Sequence, residues 1–378
     1  MLNKKKIIFV SGTRADFGKI KSLITILEAN AHQFEVHIFV TGMHLQQEYG
    51  YTYIEIKRCG FKHIHTFENT TNETTMDLTL AKTITGFSEV VKHINPNLIV
   101  VHGDRVEALA GAIVGSLNNI LVAHIEGGEL SGTIDELIRH SVSKLSHIHF
   151  VANPEAERRL LQMGELQQTI FEIGSPDVDV MQSKNLPILQ KVKAYYEIPF
   201  ESYAVAMFHP VTTEYENIPY QIQQFILALE ESNKNYVVIY PNNDLGSSII
   251  IDHYNKNTNK QLRILPSLRF EYFLTLLKNA EFIVGNSSAG VREAPYFNIP
   301  TINIGTRQNN RVSTSSILNC EYAKNNILDA IKKVSLLPIK ATNTSFGKGN
   351  SDLLFLKHLR NDDLWNINHQ KQFRDMKY

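Results

Sequence analysis

Lys5-Lys6-Ile7-Ile8-Phe9-Val10-Ser11, the segment 20–28, and then Phe34-Glu35-Val36-His37-Ile38-Phe39-Val40-Thr41 decide the fold. Ile20, Leu23, Ile24 and Leu27 recur at helical spacing, so an amphipathic helix separates two short β-branched runs. The same alternation continues, with strands expected at 97–101, 121–125, 147–151 and 169–173 and a further helical pattern at 77–94. After the polar stretch 182–201 a second series begins, with strands expected near 203–208, 236–240, 262–265, 282–284 and 301–304. A βαβα rhythm of this kind implies mostly parallel sheets covered on both faces. At 378 residues the chain exceeds one ordinary core, so it reads as two doubly wound α/β domains. They are placed at 1–185 and 186–378, with the boundary falling in 180–200 and the final helix, after Asp352, expected to pack back on the first domain.

Composition narrows the function classes. Lysine plus arginine equals aspartate plus glutamate at 38 each, so no summed positive field is available to hold a nucleic acid. The basic run Lys4 to Lys6 is followed only by Ile7 to Val10 before polar residues resume, too short for a secretory signal core. No apolar run approaches the roughly 20 residues of a membrane-spanning helix, so a cytoplasmic protein without membrane association is expected. Cys59 and Cys320 lie far apart without CxxC or Cys/His spacing, which suits ordinary thiols in a reducing compartment and gives no structural zinc pattern.

In open parallel sheets ligands bind beyond the carboxyl ends of the strands, so the loops leaving the strands are where chemistry is sought. Here they read Ser11-Gly12-Thr13-Arg14, Thr41-Gly42-Met43-His44, His102-Gly103-Asp104-Arg105, His124-Ile125-Glu126-Gly127-Gly128, Gly174-Ser175-Pro176-Asp177, His209-Pro210, Pro241-Asn242-Asn243-Asp244, Gly285-Asn286-Ser287-Ser288 and Gly305-Thr306-Arg307-Gln308. Ionisable groups and glycines concentrate there, more than chain turning requires. This clustering points to an active site at that edge.

Gly285-Asn286-Ser287-Ser288-Ala289-Gly290 leads from an apolar strand into an expected helix through Val291 to Phe297, where free N–H groups and hydroxyls suit a phosphate and Glu293 suits ribose hydroxyls. An ordinary serine N-cap reads equally from the same residues. Gly12-Thr13-Arg14 suits an anion, or a surface ion pair. Neither GxGxxG after the first strand nor GxxxxGK[ST] occurs, which disfavours nicotinamide cofactors and nucleoside triphosphate hydrolysis. Asp104, Glu126 and Asp135 are the carboxylates that one cleft would gather, with Glu129 and Glu136 as neighbours; capping or ion pairing is the alternative for each. His102, His124, His147 and His149 read as packing residues, whereas His209, before a proline, is placed at the domain facing the first. No histidine–aspartate metal pattern stands out.

His102-Gly103-Asp104-Arg105, the run His124 to Asp135, Phe208-His209-Pro210-Val211-Thr212-Thr213 and Gly285-Asn286-Ser287-Ser288 resemble the UDP-N-acetylglucosamine 2-epimerase family, and more narrowly its hydrolysing branch. The likeness runs from about Ile7 to Arg311 and leaves the segment after 312 unassigned. It implies a GT-B architecture, two Rossmann-like domains that close over a UDP-sugar. Nucleotide binding would fall to Asn242, Ser287, Ser288, Glu293 and Arg307, with Arg14 and His209 at the diphosphate. Asp104, Glu126 and Asp135 match the family's catalytic carboxylates, with His44, Arg105 and Arg139 as sugar-side support. The implied reaction releases UDP and N-acetylmannosamine for sialic acid and capsule synthesis without a redox cofactor or an obligatory metal. The resemblance also implies a homo-oligomer, dimer or tetramer. A hydrolysing epimerase for UDP-N,N'-diacetylbacillosamine, a non-hydrolysing epimerase, a GT-B glycosyltransferase and a non-catalytic UDP-sugar sensor are the competing readings.

Overall fold

The computed structural model describes residues 4–71, 75–309, 315–337 and 346–375. Seven strands, β1 (Lys5–Ser11), β2 (Phe34–Val40), β3 (His63–Thr66), β4 (Leu98–His102), β5 (Leu121–Ile125), β6 (Ile148–Val151) and β7 (Ile170–Glu172), form one sheet in the order β3-β2-β1-β4-β5-β6-β7. A second sheet takes β8 (Ala204–Met207), β9 (Tyr236–Ile239), β10 (Leu262–Leu265), β11 (Ile283–Gly285), β12 (Thr301–Ile304) and β13 (Ile317–Cys320) in the order β10-β9-β8-β11-β12-β13. All pairings between them are parallel. This is the doubly wound, two-domain α/β fold expected from the sequence.

The chain divides into two compact units. One comprises Met1–Glu129, Asp135–Ser183 and Ser345–Tyr378, the other Leu130–Ile134 and Lys184–Thr344. In the first, β1 feeds both faces of the sheet by its two-residue period. Ile7 and Phe9 pack with Ile20, Leu23, Ile24 and Leu27 of the helix Arg14–Glu28, whereas Ile8 and Val10 pack with Phe87 and Val91 of the helix Met76–Ile94. A strand buried on both sides must be apolar throughout, which is why 7–10 reads as a continuous hydrophobic run. The helix Arg14–Glu28 starts on a reciprocal capping box between Thr13 and Asp16.

The helix Ser351–Leu359 completes this first core. Phe355 is fully buried, with its ring 6.3 Å from Phe9 and 4.9 Å from Phe150. The Asp179 carboxylate accepts the first free N–H groups of that helix, from Ser351 at 2.9 Å and Asp352 at 3.1 Å. In the second unit, Phe208, Ile222, Phe225, Tyr236 and Phe282 lie in the core cluster of its sheet.

Two strands fall outside the expectation, β3 and β13, and each closes one edge of its sheet. His63-Ile64-His65-Thr66 has a single aliphatic residue and outer positions open to solvent, so it carries no apolar signature. Cys59 and Cys320 are free thiols, and burial pushes the Cys320 thiol up to about 12. No helix among the described residues is long and apolar enough to cross a membrane.

Candidate active site

Strand order locates the crevices. In the first unit the chain winds outward from β1 through β2 to β3 and resumes on the other side at β4, so the loops after β1 and β4 diverge and leave a gap. In the second unit the same reversal separates β8 from β11. The loops at these points are Gly12 to Arg14 and Gly103 to Arg105 in the first unit, and Phe208 to Pro210 and Asn286 to Ser288 in the second.

Asp104 and Glu126 are brought together by Arg139. This arginine, buried on the helix Ile134–Leu145, donates from Nη2 to the Asp104 carboxylate and from Nη1 to the Glu126 carbonyl, the latter at 2.6 Å. Glu126 adopts a left-handed backbone, φ 64°, uncommon for a residue with a side chain and worth about 1–3 kcal/mol of local strain. Its N–H donates to the Phe150 carbonyl at 2.9 Å, so both ends of the strained residue are fixed. One carboxylate oxygen accepts the Ser175 hydroxyl, and the other lies 3.3 Å from His102 Nε2. Asp135 stands half-buried in the first turn of the Arg139 helix. These contacts put Asp104, Glu126, Arg139 and His102 in one constellation at the edge of β4 and β5.

Around β1 the picture departs from expectation. The N–H groups of Gly12 and Thr13 donate to Asp16 at 3.0 and 3.1 Å, so these loop amides are already engaged by the chain's own carboxylate. Burial raises the proton affinity of Asp16, against the lowering effect of Ser11 and Gly12. An anion at this loop would therefore rest on the guanidinium of Arg14, which is half-buried. His44 is fully buried, with Nε2 2.9 Å from the Ser11 hydroxyl and Nδ1 2.6 Å from that of Thr52. Burial, with Arg14 nearby, holds its pKa down at about 3, so it acts as a neutral hydrogen-bonding support.

The sequence reading missed Glu107, which nothing in the sequence separates from an ordinary acid in a first helical turn. It is buried, Arg105 Nε lies 3.4 Å from its Oε2, and its carboxylate fills the space beside Gly12 and Gly42. A Cβ on Gly42, where φ is 61°, would stand 2.6 Å from Glu107 Oε1. His124 was read as packing and is so placed: it bridges the Gly103 carbonyl at 2.8 Å and the Ser143 hydroxyl at 3.0 Å, and burial holds it near 3 and neutral. His147 and His149 are likewise committed, to the Val122 N–H and the His369 carbonyl and to Glu165 respectively.

In the second unit Asn286 ties the two divergent loops together. Its Oδ1 accepts the His209 N–H at 2.7 Å and its Nδ2 donates to the His209 carbonyl at 2.8 Å. Gly285 precedes it at φ 135° with its ideal Cβ only 1.9 Å from the Met207 carbonyl oxygen, so no other residue fits. His209 Nδ1 accepts the Asn242 N–H at 3.2 Å, which places a ring proton on Nε2. Arg307 reaches the Asn286 carbonyl from Nη1 at 3.4 Å, and Gln308 donates to the same oxygen at 2.7 Å. Gly132, grouped with this unit, packs its Cα against the Arg307 backbone.

The expected helix from Val291 to Phe297 is not formed as one element. A three-residue 3-10 turn, Ser288–Gly290, is followed by a four-residue helix, Glu293–Tyr296. Pro295 and the crowding of Gly290 against Thr301 accompany this break. A helix macrodipole is thus not available to an anion here, and Ser287 accepts the Ala289 N–H at 3.3 Å as a local cap. Ser288 stays half-buried and Glu293 buried.

Comparisons with known proteins identify the family and the fold. Residues 27–360 match the family described as UDP-N-acetylglucosamine 2-epimerase. The chain is 48% identical over 375 residues, 98% of itself and 99% of its relative, to the UDP-N-acetylglucosamine 2-epimerase of Neisseria meningitidis serogroup B. It is 34% identical over 360 residues, 92% of itself and 93% of that chain, to the UDP-N,N'-diacetylbacillosamine 2-epimerase (hydrolyzing) of Legionella pneumophila. The crystal structure of Methanocaldococcus jannaschii UDP-GlcNAc 2-epimerase in complex with UDP-GlcNAc and UDP shares the fold at a TM-score of 0.79 and 22% identity, covering 94% of this chain and 99% of that one. With a family match over most of its length and a relative so similar from end to end, this chain belongs to the UDP-N-acetylglucosamine 2-epimerase family.

Proposed function

We propose that this chain is a hydrolysing UDP-N-acetylglucosamine 2-epimerase, converting UDP-N-acetylglucosamine and water to N-acetylmannosamine and UDP. The observation that carries the reading is the 48% identity to the Neisseria protein over nearly the whole of both chains. The hydrolysing form is supported by the run Glu126-Gly127-Gly128-Glu129 and by the Legionella relative, whose name specifies it.

The C2 proton of a pyranose is weakly acidic, so loss of UDP from C1 must lead and build positive character beside it. A base takes the C2 proton as the C1–O bond breaks on the opposite face, giving 2-acetamidoglucal and UDP. An acid then delivers a proton to the other face of C2 while water adds at C1, and the product is N-acetylmannosamine. Asp104 and Glu126 work at C2, one as base and one as acid, because the Arg139 bridge holds them together in unlike surroundings. Asp135 assists the water. Arg14 and the Nε2–H of His209 oppose the charge that grows on the leaving diphosphate. The second unit grips the nucleotide through Asn242, Ser287, Ser288, Glu293 and Arg307, and Arg105 and His44 support the sugar side.

Incubation with UDP-N-acetylglucosamine in deuterated water tests the reading. Free UDP and N-acetylmannosamine carrying deuterium at C2 are expected. UDP-N-acetylmannosamine would mark a non-hydrolysing epimerase, and an unchanged substrate would exclude epimerisation of this sugar. The Legionella relative favours a second reading, in which the substrate is UDP-N,N'-diacetylbacillosamine. A higher kcat/KM for the diamino sugar in the same assay would select it.

A further inference from the structure

Gly174-Ser175-Pro176-Asp177 follows β7 and opens the helix Pro176–Met181. A serine immediately before a helix, with proline at the first helical position, ordinarily turns its hydroxyl back to accept an N–H of the first turn. Ser175 stands at that N-cap position with an extended backbone, φ −92° and ψ 129°, and yet makes no side-chain cap. Its hydroxyl donates instead to Oε1 of Glu126, 49 positions earlier in the chain. The serine is itself locked, being completely buried, with its N–H donating to the Phe346 carbonyl at 2.6 Å.

Resting on the proposed function of Glu126, we propose that Ser175 is a positioning residue for that carboxylate. Its hydroxyl, turned away from the helix it begins, fixes one oxygen of Glu126 so that the other is presented beside His102. The carboxylate lies on a residue whose backbone is held from both sides, by Phe150 and by Arg139, so the side-chain torsions are the remaining freedom and Ser175 removes it. The charged and titratable groups that the described contacts bring near it include His102 from the end of β4 and Arg139 with its partner Asp104, while along Ser175's own helix Asp177 lies 3.4 Å from Lys19. Among these Ser175 acts by donating a hydrogen bond without carrying charge. A donor to a carboxylate favours its ionised form, so Ser175 lowers the proton affinity of Glu126 as well as aiming it.

The test reads Glu126 directly. Protein labelled with 13C at the glutamate carboxyl carbons is titrated without substrate, the Glu126 signal being identified by its absence in Glu126→Gln. In Ser175→Ala the Glu126 titration should move upward by on the order of one pH unit, and in Ser175→Thr, which keeps the hydroxyl, it should return toward the wild-type position. The pH profile of kcat/KM for UDP release should move in the same direction, whichever limb Glu126 sets. An unchanged Glu126 titration in a Ser175→Ala protein that melts cooperatively would overturn the proposal, leaving the serine a packing residue. The titration requires no turnover, so failure of the proposed reaction and failure of this inference are read separately.

Discussion

Asn286 is fully buried, and its amide satisfies both the N–H and the carbonyl of His209. Its own carbonyl in turn receives Arg307 and Gln308. One side chain thereby fixes the histidine expected at the diphosphate and the loop that carries Ser287 and Ser288. Replacing it, Asn286→Ala, strands two buried backbone groups of His209, a loss of about 2–4 kcal/mol measurable by urea unfolding. Because the same change releases the His209 loop, UDP affinity should fall by more than tenfold in calorimetry under conditions where the variant is folded. Wild-type affinity in a destabilised variant would show that the loop is not part of the nucleotide grip. The role of Asn286 was not legible in advance, since it depends on two loops 77 residues apart meeting across a sheet.

Elements show the same division between what local pattern reveals and what only packing decides. The helix Ser351–Leu359 belongs to the first unit although it follows the second in the chain. Phe355 enters a core that also holds residues of β1, β2, β4, β5, β6 and the helix Arg14–Glu28, so Phe355→Ala should lower stability by about 3–5 kcal/mol. Native-state hydrogen exchange should place that loss in β1, β4 and β5 and leave β8 and β9 protected; a loss spread equally over both sheets would contradict this assignment. Long apolar strands such as β1, β2 and β5 were readable because burial on both faces demands apolar side chains at consecutive positions. β3, rich in histidine, and β13 are edge strands with no fully buried position, so neither carried that signal, whereas the opposite edges β7 and β10 did. The interruption after Gly290 was also hidden. Val291 to Phe297 has good helical spacing, and the break reflects Thr301 packed on Gly290 with Thr301 Oγ1 bonded to the Gly290 carbonyl at 2.7 Å. Pro295 inside the expected helix was the local warning.

Across the whole molecule, two sheets reverse direction at the same place in their winding, β1 beside β4 and β8 beside β11, and four of the nine loops picked from the sequence lie at those reversals. Strand ends direct attention to Asp104, Glu126, His209 and Ser287 because polar residues gather where a parallel sheet leaves its ladder unfinished. The supporting residues Glu107 and Ser175 sit one step behind, and their importance rests on burial and on a diverted hydroxyl. The account stands on Asp104 and Glu126 moving the proton at C2 while the nucleotide is held elsewhere. UDP-N-acetylglucosamine carrying deuterium at C2 tests this most directly, with loss of the label to water followed in the wild type, Asp104→Asn and Glu126→Gln, and UDP affinity measured alongside. Label loss slowed by about 10²–10⁴-fold in the variant that lacks the base, and 2-acetamidoglucal accumulating in place of N-acetylmannosamine in the variant that lacks the acid, with UDP affinity within a few-fold of wild type in both, is the predicted result. Wild-type rates of both label loss and N-acetylmannosamine formation in either variant would contradict it.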